Sequence, residues 1–278
     1  MSAPTTARYH GPTAFGEDLR RLGNLTFTLA ANDFKLRFFG SALGYLWSLM
    51  RPLLLFGVLY VVFTEIVRFG SGVNNYPVYL LTGIVMFTFF SETTSRGVTS
   101  LIERETLLRK IRFPRLVVPL SVALHALFNL GLNLIVVFVF VFAAGIDPRW
   151  SWLEIFPLVA VLVLLSTGVT MLVSALYVRY RDVQPIWEVA LQILFYASPI
   201  IYTTERYPDS IEHQALVNPI AAVLAQMRHA LIDPDAPTAA AAIGGGVRLL
   251  IPLGLTLAVF ALGAWVFTRE APRIAEDL

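Results

Sequence analysis

The 278-residue chain is 56% apolar and only 14% charged, against roughly 25% charged residues in ordinary soluble proteins. A soluble fold could not bury this much apolar surface, because more than half of a folded surface is already apolar, so the composition predicts an integral membrane protein. The net charge of +2 is too small to indicate a nucleic-acid partner, and the absence of Cys excludes disulfides, thiolate metal sites and cysteine nucleophiles.

The N-terminal region divides into a leader and an amphipathic segment. Residues 15–44 mix charged side chains with spaced Leu and Phe, which predicts a helix lying in the membrane interface. Residues 1–12 are expected to be disordered, and the alternative is that the whole segment is a disordered leader. The first forty residues contain no long apolar run, so no cleavable secretion signal is expected.

Six stretches are predicted to cross the bilayer, where a perpendicular helix needs about 20 apolar residues. Four of them contain no charged residue: Phe69–Ser91, Leu116–Ile146, Ile155–Val178 and Leu249–Thr268. The first span, Pro52–Thr64, is shorter and is extended by the aromatic residues at 45 and 47, and the fifth, Val183–Tyr202, is interrupted only by Glu188. We therefore predict an all-α, polytopic, six-helix transmembrane domain over residues 45–270.

The distribution of basic residues predicts the orientation. If the N-terminus is cytoplasmic, the same side holds the segment 1–44, the 96–115 loop, the turn 179–182 and the tail 271–278. Counting Arg51, Arg96 and Arg269 at the helix ends, that side then collects 16 of the 21 basic residues. Both termini are therefore predicted to be cytoplasmic.

Two connecting segments are unusual. The cytoplasmic 96–115 loop is dense in charges of both signs and has an apolar stripe of leucines, which predicts a short amphipathic helix over about 101–113 that fits a protein groove; the alternative is a positive-inside anchor. On the outer side, Pro219–Ile232 is too short and too polar to span, so the segment of about 203–232 is predicted to be re-entrant or interfacial.

Catalytic chemistry is poorly supported. Lys35 and Lys110 are the only lysines, and neither lies in a phosphate-binding P-loop, so ATP hydrolysis would have to come from another polypeptide. Asp182 stands alone beside Arg179 and Arg181, without the clustered carboxylates of enzymes that act on lipid diphosphates. A protease site at Glu92 and His125 lacks its second carboxylate, and Glu92 is predicted to pair with Arg96.

Several short segments resemble ABC-2-type exporter permeases of the O-antigen, teichoic acid and capsular polysaccharide branch. The first is KLRFFGSALGYLWSLMRPLL (35–54), in which six positions match the pattern of that branch: Arg37, Ser41, Leu43, Gly44, Trp47 and Pro52. Phe38 and Phe39 depart from it. Further matches, in the same order as in the family, are ERETLLRKIRFPRLVVPL, YVRYRDV, FYASPIIYT, NPI and REAPRIAEDL. Together they cover nearly the whole chain.

The resemblance implies a half-transporter of the bacterial inner membrane. Two copies of this chain would form the pathway and two copies of a separate nucleotide-binding subunit, carrying ATP and Mg, would drive it; this chain itself would hold no cofactor. The loop 103–115 resembles the coupling helix that contacts the ATPase, through the residues Glu103, Arg104, Glu105, Leu107, Arg109, Lys110 and Arg112. The segment 15–44 resembles the interfacial helix that also contacts the ATPase.

Aromatic residues indicate a carbohydrate load, because rings stack on sugar faces without fixed hydrogen bonds. The candidates are Trp47, Phe56, Tyr60 and Phe63 in the first span and Phe195, Tyr196 and Tyr202 in the fifth. The alternative is ordinary lipid-facing or packed aromatic residues. Lys35, Arg37 and Arg51 are predicted to bind a lipid diphosphate near the cytoplasmic entrance, although attraction to anionic lipid would also explain them.

The sequence thus predicts the permease subunit of an ABC exporter for a polyprenyl-diphosphate-linked polysaccharide. An ABC-2 exporter of a drug or small lipid remains an alternative within transport. A membrane enzyme of lipid-linked sugar metabolism is the alternative outside it.

Overall fold

The computed structural model describes residues 19–38, 44, 46–68, 73–110, 114–208 and 212–270. Within these ranges there are eleven α-helices and no strand, which confirms the predicted all-α class. The helices are α1 Leu19–Phe38, α2 Leu46–Val61, α3 Tyr76–Glu103, α4 Glu105–Lys110, α5 Val117–Ala143, α6 Ile155–Arg179, α7 Val183–Ala197, α8 Glu212–Ala215, α9 Pro219–Met227, α10 Ala239–Ala242 and α11 Leu250–Glu270. The π-helical turns Val62–Ile66 and Arg228–Ile232 extend α2 and α9, and the 3-10 turns Trp150–Glu154 and Gly246–Leu249 lead into α6 and α11.

The helix α3 lies at the centre of the bundle and packs against α2, α5, α6 and α7. Asn75 precedes it with a left-handed φ of 51°, which Asn tolerates, and Pro77 occupies the first turn, where its missing N–H costs no helical hydrogen bond. Its first half is almost entirely buried and uncharged, and charges begin only at Glu92. We call the end where α3 meets α4 the α4 end, and the end where α3 begins the α9 end, because α9 packs there.

Glycines bring α3, α6 and α11 into close contact. A Cβ at Gly263 would lie 2.0 Å from the carbonyl oxygen of Gly168, and one at Gly168 would lie 2.6 Å from the Cα of Phe260. A Cβ at Gly97 would likewise lie 2.5 Å from Thr170 Cγ2. Small residues let helix backbones approach closely in a membrane, where little hydrophobic force acts between helices.

The helix α1 packs along α5 at the α4 end. It buries Thr26 and Ala30, and its leucines pack with Leu107 of α4 against a buried cluster around Leu101 and Phe267. Phe34 makes edge-on ring contact with Phe128 of α5, at a centroid distance of 5.6 Å. The predicted amphipathic segment is therefore helical over 19–38 and has its apolar face on the bundle.

At the α9 end, the described residues 198–208 and 212–243 form a cap over the start of α3. The Tyr76 hydroxyl donates to the carbonyl of Ile201 at 2.8 Å, and the Tyr79 hydroxyl donates to the carbonyl of Tyr202 at 2.6 Å. Within the cap, the Asn218 side chain accepts from the Ile220 N–H and so caps α9. The apolar stretch Pro219–Ile232 is shorter than a bilayer crossing, and its predicted re-entrant placement remains a prediction.

Among the described residues, four helical stretches are both long and apolar enough to cross a membrane. They are Leu46–Ile66, Val117–Ala143, Trp150–Arg179 and Gly246–Glu270. The helix α3 has the necessary length, 28 residues, but its second half carries charges, and α7 has 15 residues. The membrane class is confirmed, whereas the count of six spans stays a prediction.

Candidate functional site: a polar cleft between three helices

Polar residues follow one face of the second half of α3. Thr88, Ser91, Glu92, Ser95 and Arg96 recur every three or four positions, so they lie on one side of the helix. This side is half-buried or exposed, while Thr93 and Thr94 on the other side are fully buried and donate to backbone carbonyls of their own helix. The polar face of α3 is therefore turned away from the packed core.

A second polar stripe lies on the facing helix α5. Ser121, His125, Asn129 and Asn133 are spaced at four-residue intervals, and all four are buried. Asn133 also approaches the carbonyl of Ser48 in α2, at 3.5 Å, so the stripe reaches a third helix. Polar side chains on membrane-spanning helices are costly unless they face the bundle interior or a water-filled cavity, and both stripes do so.

Direct contacts join the two stripes. The Asn129 amide donates to both carboxylate oxygens of Glu92, at 3.1 and 3.3 Å. Arg96 lies one turn after Glu92, with 3.4 Å between Nε and Oε1, and its Nη1 is 3.1 Å from Nε2 of His125. The predicted pairing of Glu92 with Arg96 is therefore present, and both residues are also joined to α5.

Two neighbouring cavities, of about 390 and 420 Å³, open along these stripes, and Arg96 lines both. We call the pair the polar cleft. Its lining residues are Ser48, Arg51, Pro52, Thr88, Ser91, Glu92, Ser95, Arg96, Asn133 and Leu191 for the first cavity, and Asp33, Arg96, Ser100, Glu103, Arg104, Val122 and His125 for the second. The cleft thus lies mainly between α2, α3 and α5, while α7 contributes Leu191 and α1 contributes Asp33 at the α4 end.

The cleft is deep relative to a bilayer. Thr88 and Glu103 are fifteen positions apart on α3, which corresponds to about 22 Å along an α-helix. The hydrocarbon core of a bilayer is about 30 Å thick. If α3 crosses the membrane, a continuous polar wall therefore extends from the α4 end past the middle of the bilayer.

Comparison with known proteins identifies the family. The sequence model of the ABC-2 type transporter family matches residues 24–232, which is most of the chain. The chain belongs to the ABC-2 type transporter membrane family. The matched range includes every residue that lines the polar cleft.

Similar proteins are permeases of polysaccharide export systems. An O-antigen export system permease protein RfbA of Klebsiella pneumoniae is 30% identical over 212 residues, covering 76% of this chain and 81% of that protein. The RfbA protein of Myxococcus xanthus is 30% identical over 234 residues, with 81% and 89% coverage. The polysialic acid transport protein KpsM of Escherichia coli is 22% identical over 245 residues, with 87% and 92% coverage.

The three residues predicted to bind a lipid head group lie in different environments of this ABC-2 chain. Arg51 is exposed and lines the polar cleft. Lys35 is exposed on α1, outside the cleft lining. Arg37 is in α1, but its side chain lies outside the described residues. Of the two side chains that the structure describes, Arg51 lines the cleft and Lys35 does not.

The first-span aromatic residues differ in how far they are buried. Phe56 is buried, stacks on Tyr60 at 5.7 Å and packs edge-on against Phe140 of α5 at 5.5 Å. Tyr60 and Phe63 are half-buried, and Trp47 is 47% exposed. In the single chain Phe56 is thus a packing residue. At this one position, the contacts favour an ordinary packed aromatic residue over a sugar-stacking role.

The fifth-span aromatic residues lie at the α9 end. Phe195 packs edge-on against Phe87 of α3 at 5.2 Å. Tyr202 donates to the carbonyl of Tyr196 at 2.7 Å, and the Tyr196 side chain is 66% exposed. None of the three lines the polar cleft, although Leu191, one turn before Phe195 on α7, does.

The predicted coupling residues divide into inward and outward groups. Arg104 forms an ion pair with Asp33 of α1 and donates to Ser121 Oγ at 2.7 Å, so it joins α1, α3 and α5. Leu107 packs on the apolar cluster beneath α4, whereas Glu103 is exposed and accepts from Thr99 at 2.7 Å. Glu105 is half-buried at the first position of α4.

The other three predicted coupling residues are Arg109, Lys110 and Arg112. Arg109 and Lys110 end α4, but their side chains lie outside the described residues, as does the whole of Arg112. Their predicted contact with the ATPase stays a prediction.

The cap contains a buried arginine, Arg228, that pairs with two carboxylates. Arg228 Nη1 donates to both oxygens of Glu205, at 2.8 and 2.9 Å, and Nη2 lies 3.8 Å from Asp233. Its guanidinium also lies 5.7 Å from the centre of the Tyr79 ring. Burial acts to raise the pKa of Glu205, but hydrogen bonds from Thr203 and the backbone, together with Arg228, lower that pKa below its ordinary value.

Sequence reasoning missed several residues of the cleft. Thr88, Ser91, Ser95 and Asn133 were not predicted as site residues, although the four-residue spacing of Ser121, His125, Asn129 and Asn133 is visible in the sequence. Spacing of this kind on an otherwise apolar span is the signal that would have found them. Within the described residues, no group of three His, Asp or Glu side chains is placed to hold a metal ion.

Proposed function

We propose that this chain is the permease subunit of an ABC exporter that moves a polyprenyl-diphosphate-linked polysaccharide across the bacterial cytoplasmic membrane. The supporting observation is that O-antigen and polysialic acid permeases match it over 76–87% of its length and over 81–92% of their own. The similarity therefore extends over most of the chain. A deep polar cleft in an apolar bundle is suited to moving a hydrophilic load past hydrocarbon.

ATP hydrolysis is assigned to a separate subunit. The sequence contains only two lysines, and neither lies in a P-loop. Two copies of this chain and two nucleotide-binding subunits, with ATP and Mg bound to the latter, complete the proposed exporter. The packing of α4 and α1 on one apolar cluster makes the α4 end a continuous surface on which such a subunit could dock.

The α4 end is proposed to face the cytoplasm. The positive-inside bias places the basic segments around α1 and α4 on that side, with both termini and six spans between them. The polar cleft would then begin at the cytoplasmic surface, where lipid-linked glycans are made available. The cap would lie on the outer side.

Depletion of the protein tests this function. We expect a lipid-linked glycan to accumulate inside the cell and the corresponding polysaccharide to disappear from the surface, as measured by mass spectrometry of extracted lipids and by surface labelling. Wild-type protein supplied from a plasmid should reverse both effects. Unchanged lipid-linked glycans after depletion, with accumulation of a drug or small lipid instead, would contradict the proposal and favour the small-molecule exporter.

A further inference from the structure

The lining of the polar cleft contains hydrogen-bond donors and acceptors in mixed order. Hydroxyl groups of Ser and Thr can both donate and accept, the Asn carboxamide does the same through different atoms, Arg only donates and an ionised Glu only accepts. All of these side-chain types line the first cavity. A ligand that fits this lining must itself offer both donors and acceptors at short intervals.

The charges of the cleft are balanced. Its arginines are Arg51, Arg96 and Arg104, and its carboxylates are Asp33, Glu92 and Glu103. Apart from His125, the lining therefore carries no net charge. A site for a diphosphate would be expected to present an excess of cations, and the carboxylates of this lining would repel that group. The charge balance favours a neutral, polyhydroxylated ligand.

Part of the polar lining is not needed to hold the helices together. The Glu92–Asn129 contacts join α3 to α5 and have an evident packing role. Thr88 and Ser95, by contrast, line the cavity, and no described contact links either side chain to another helix. Hydroxyl groups that line a cavity in this way can bond a polar occupant, such as water or sugar hydroxyls.

We propose that the polar cleft binds the sugar units of the exported glycan through their hydroxyl groups, with Thr88, Ser95 and Asn133 as direct contacts. This inference rests on the proposed function. It assigns hydrogen-bonded sugar recognition to α3 and α5, in addition to the stacking role predicted for the aromatic residues. The diphosphate of the lipid carrier is left to basic residues nearer the α4 end of α2 and α1.

Two matched double variants distinguish sugar binding by the cleft from a purely structural role. The cleft variant, Thr88→Val with Ser95→Ala, removes two hydroxyls that line the cavity. The matched control, Thr93→Val with Thr94→Val, removes two hydroxyls from the same helix that are buried and bonded to the carbonyls of Phe89 and Phe90. If the cleft only stabilises the fold, the control should be the more damaging of the two.

The assay is ATPase stimulation in the complex of this chain with its ATPase subunit, reconstituted in proteoliposomes. The probes are farnesyl diphosphate and farnesyl-diphosphate-linked N-acetylglucosamine. In the cleft variant we expect the half-maximal concentration of the sugar-bearing probe to rise about ten-fold, because each lost hydroxyl contact is worth about three-fold. The response to farnesyl diphosphate should remain as in wild type, and the control variant should respond normally to both probes.

The outcomes are distinguishable. Wild-type behaviour of the cleft variant toward the sugar-bearing probe would overturn the cleft assignment and leave the proposed function standing. An equal loss toward both probes would also overturn it, because the cleft would then bind the diphosphate. A wild-type complex that responds to neither probe would contradict the proposed function, and this inference with it.

Discussion

Replacement of Arg228 by Met should loosen the cap at the α9 end. The Arg228 side chain is 10% exposed and satisfies both oxygens of Glu205, while Asp233, 9% exposed, lies 3.8 Å away. Methionine fills a similar volume but cannot donate a hydrogen bond. Both carboxylates would then lose their cation in a partly buried setting.

The cost can be worked from these contacts. A hydrogen bond to a charged group contributes about 1.5–3 kcal/mol, but Glu205 is 45% exposed, so water can replace part of what is lost. A loss of about 2 kcal/mol is therefore expected for cap closure. This corresponds to a roughly 30-fold increase in the open population, since 1.4 kcal/mol is a factor of ten. The bonds from Gln226 to Glu154 and from Ser151 to Ala230 still hold the cap and limit the effect.

Cysteine labelling measures this opening directly. The sequence has no Cys, so a single Ser198→Cys substitution gives a site without background reactivity. Ser198 is 0% exposed at the start of the cap, and a maleimide should reach it only after local opening. In detergent, labelling should be about 30-fold faster in the Arg228→Met background.

The matched control is Arg248→Met. Arg248 is exposed at the same end of the bundle, and among the described residues its guanidinium donates only to the carbonyl of Ile243, at 3.4 Å. Its labelling rate should stay near that of the parent. Equal rates for Arg228→Met and the parent, or an equal rise in both arginine variants, would refute the assignment of Arg228 as the residue that holds the cap closed.

Three further predictions concern packing, pH and coupling. Gly263→Ala should lower the thermal stability of the detergent-solubilised protein, because its Cβ would meet the Gly168 carbonyl at 2.0 Å, whereas Gly254→Ala in the same helix meets nothing within 4 Å and should be tolerated. Because the folded-state pKa of Glu205 is lowered, its contribution to stability is present above the ordinary value of 4.5 and is lost as the pH falls through the folded pKa. The melting-temperature difference between wild type and Glu205→Gln should therefore be constant at neutral pH and shrink as the pH falls below the ordinary value of 4.5, and a difference that stays constant under acid conditions would contradict that assignment. Arg109→Glu with Lys110→Glu should weaken co-purification of the ATPase subunit and export while leaving membrane insertion intact; unchanged association and export would reduce α4 to a topological anchor.

The membrane class and the positions of most helices followed from the sequence because they depend on one-dimensional patterns. Long uncharged runs predicted α5, α6 and α11, and spaced leucines predicted α1, whose leucines pack on the bundle. The span count did not follow as securely. The second half of α3 and the short α7 combine helical structure with polar or exposed positions, so composition alone does not place them in a bilayer.

The side-chain roles were harder to predict, because they depend on which face of a helix meets a neighbour. Phe56 and Tyr60 were grouped by spacing alone, but the position of α5 decides that Phe56 packs against Phe140. Arg104 was placed among the docking charges of its loop, yet Asp33, seventy-one positions earlier, draws its side chain inward. A partner so far away in the sequence cannot be predicted from the residues around Arg104.

The position of Arg104 suggests how the α4 end and the cleft act together. Arg104 is the single residue between α3 and α4. Its side chain contacts Asp33 of α1 and Ser121 of α5. Arg96, two turns earlier on α3, lines both cavities and contacts His125, one turn after Ser121 on α5. A displacement of α4 by a docked subunit would therefore be transmitted to both polar walls through adjacent turns of rigid helix. The walls of the cleft are thus the first internal surfaces that such a movement would change.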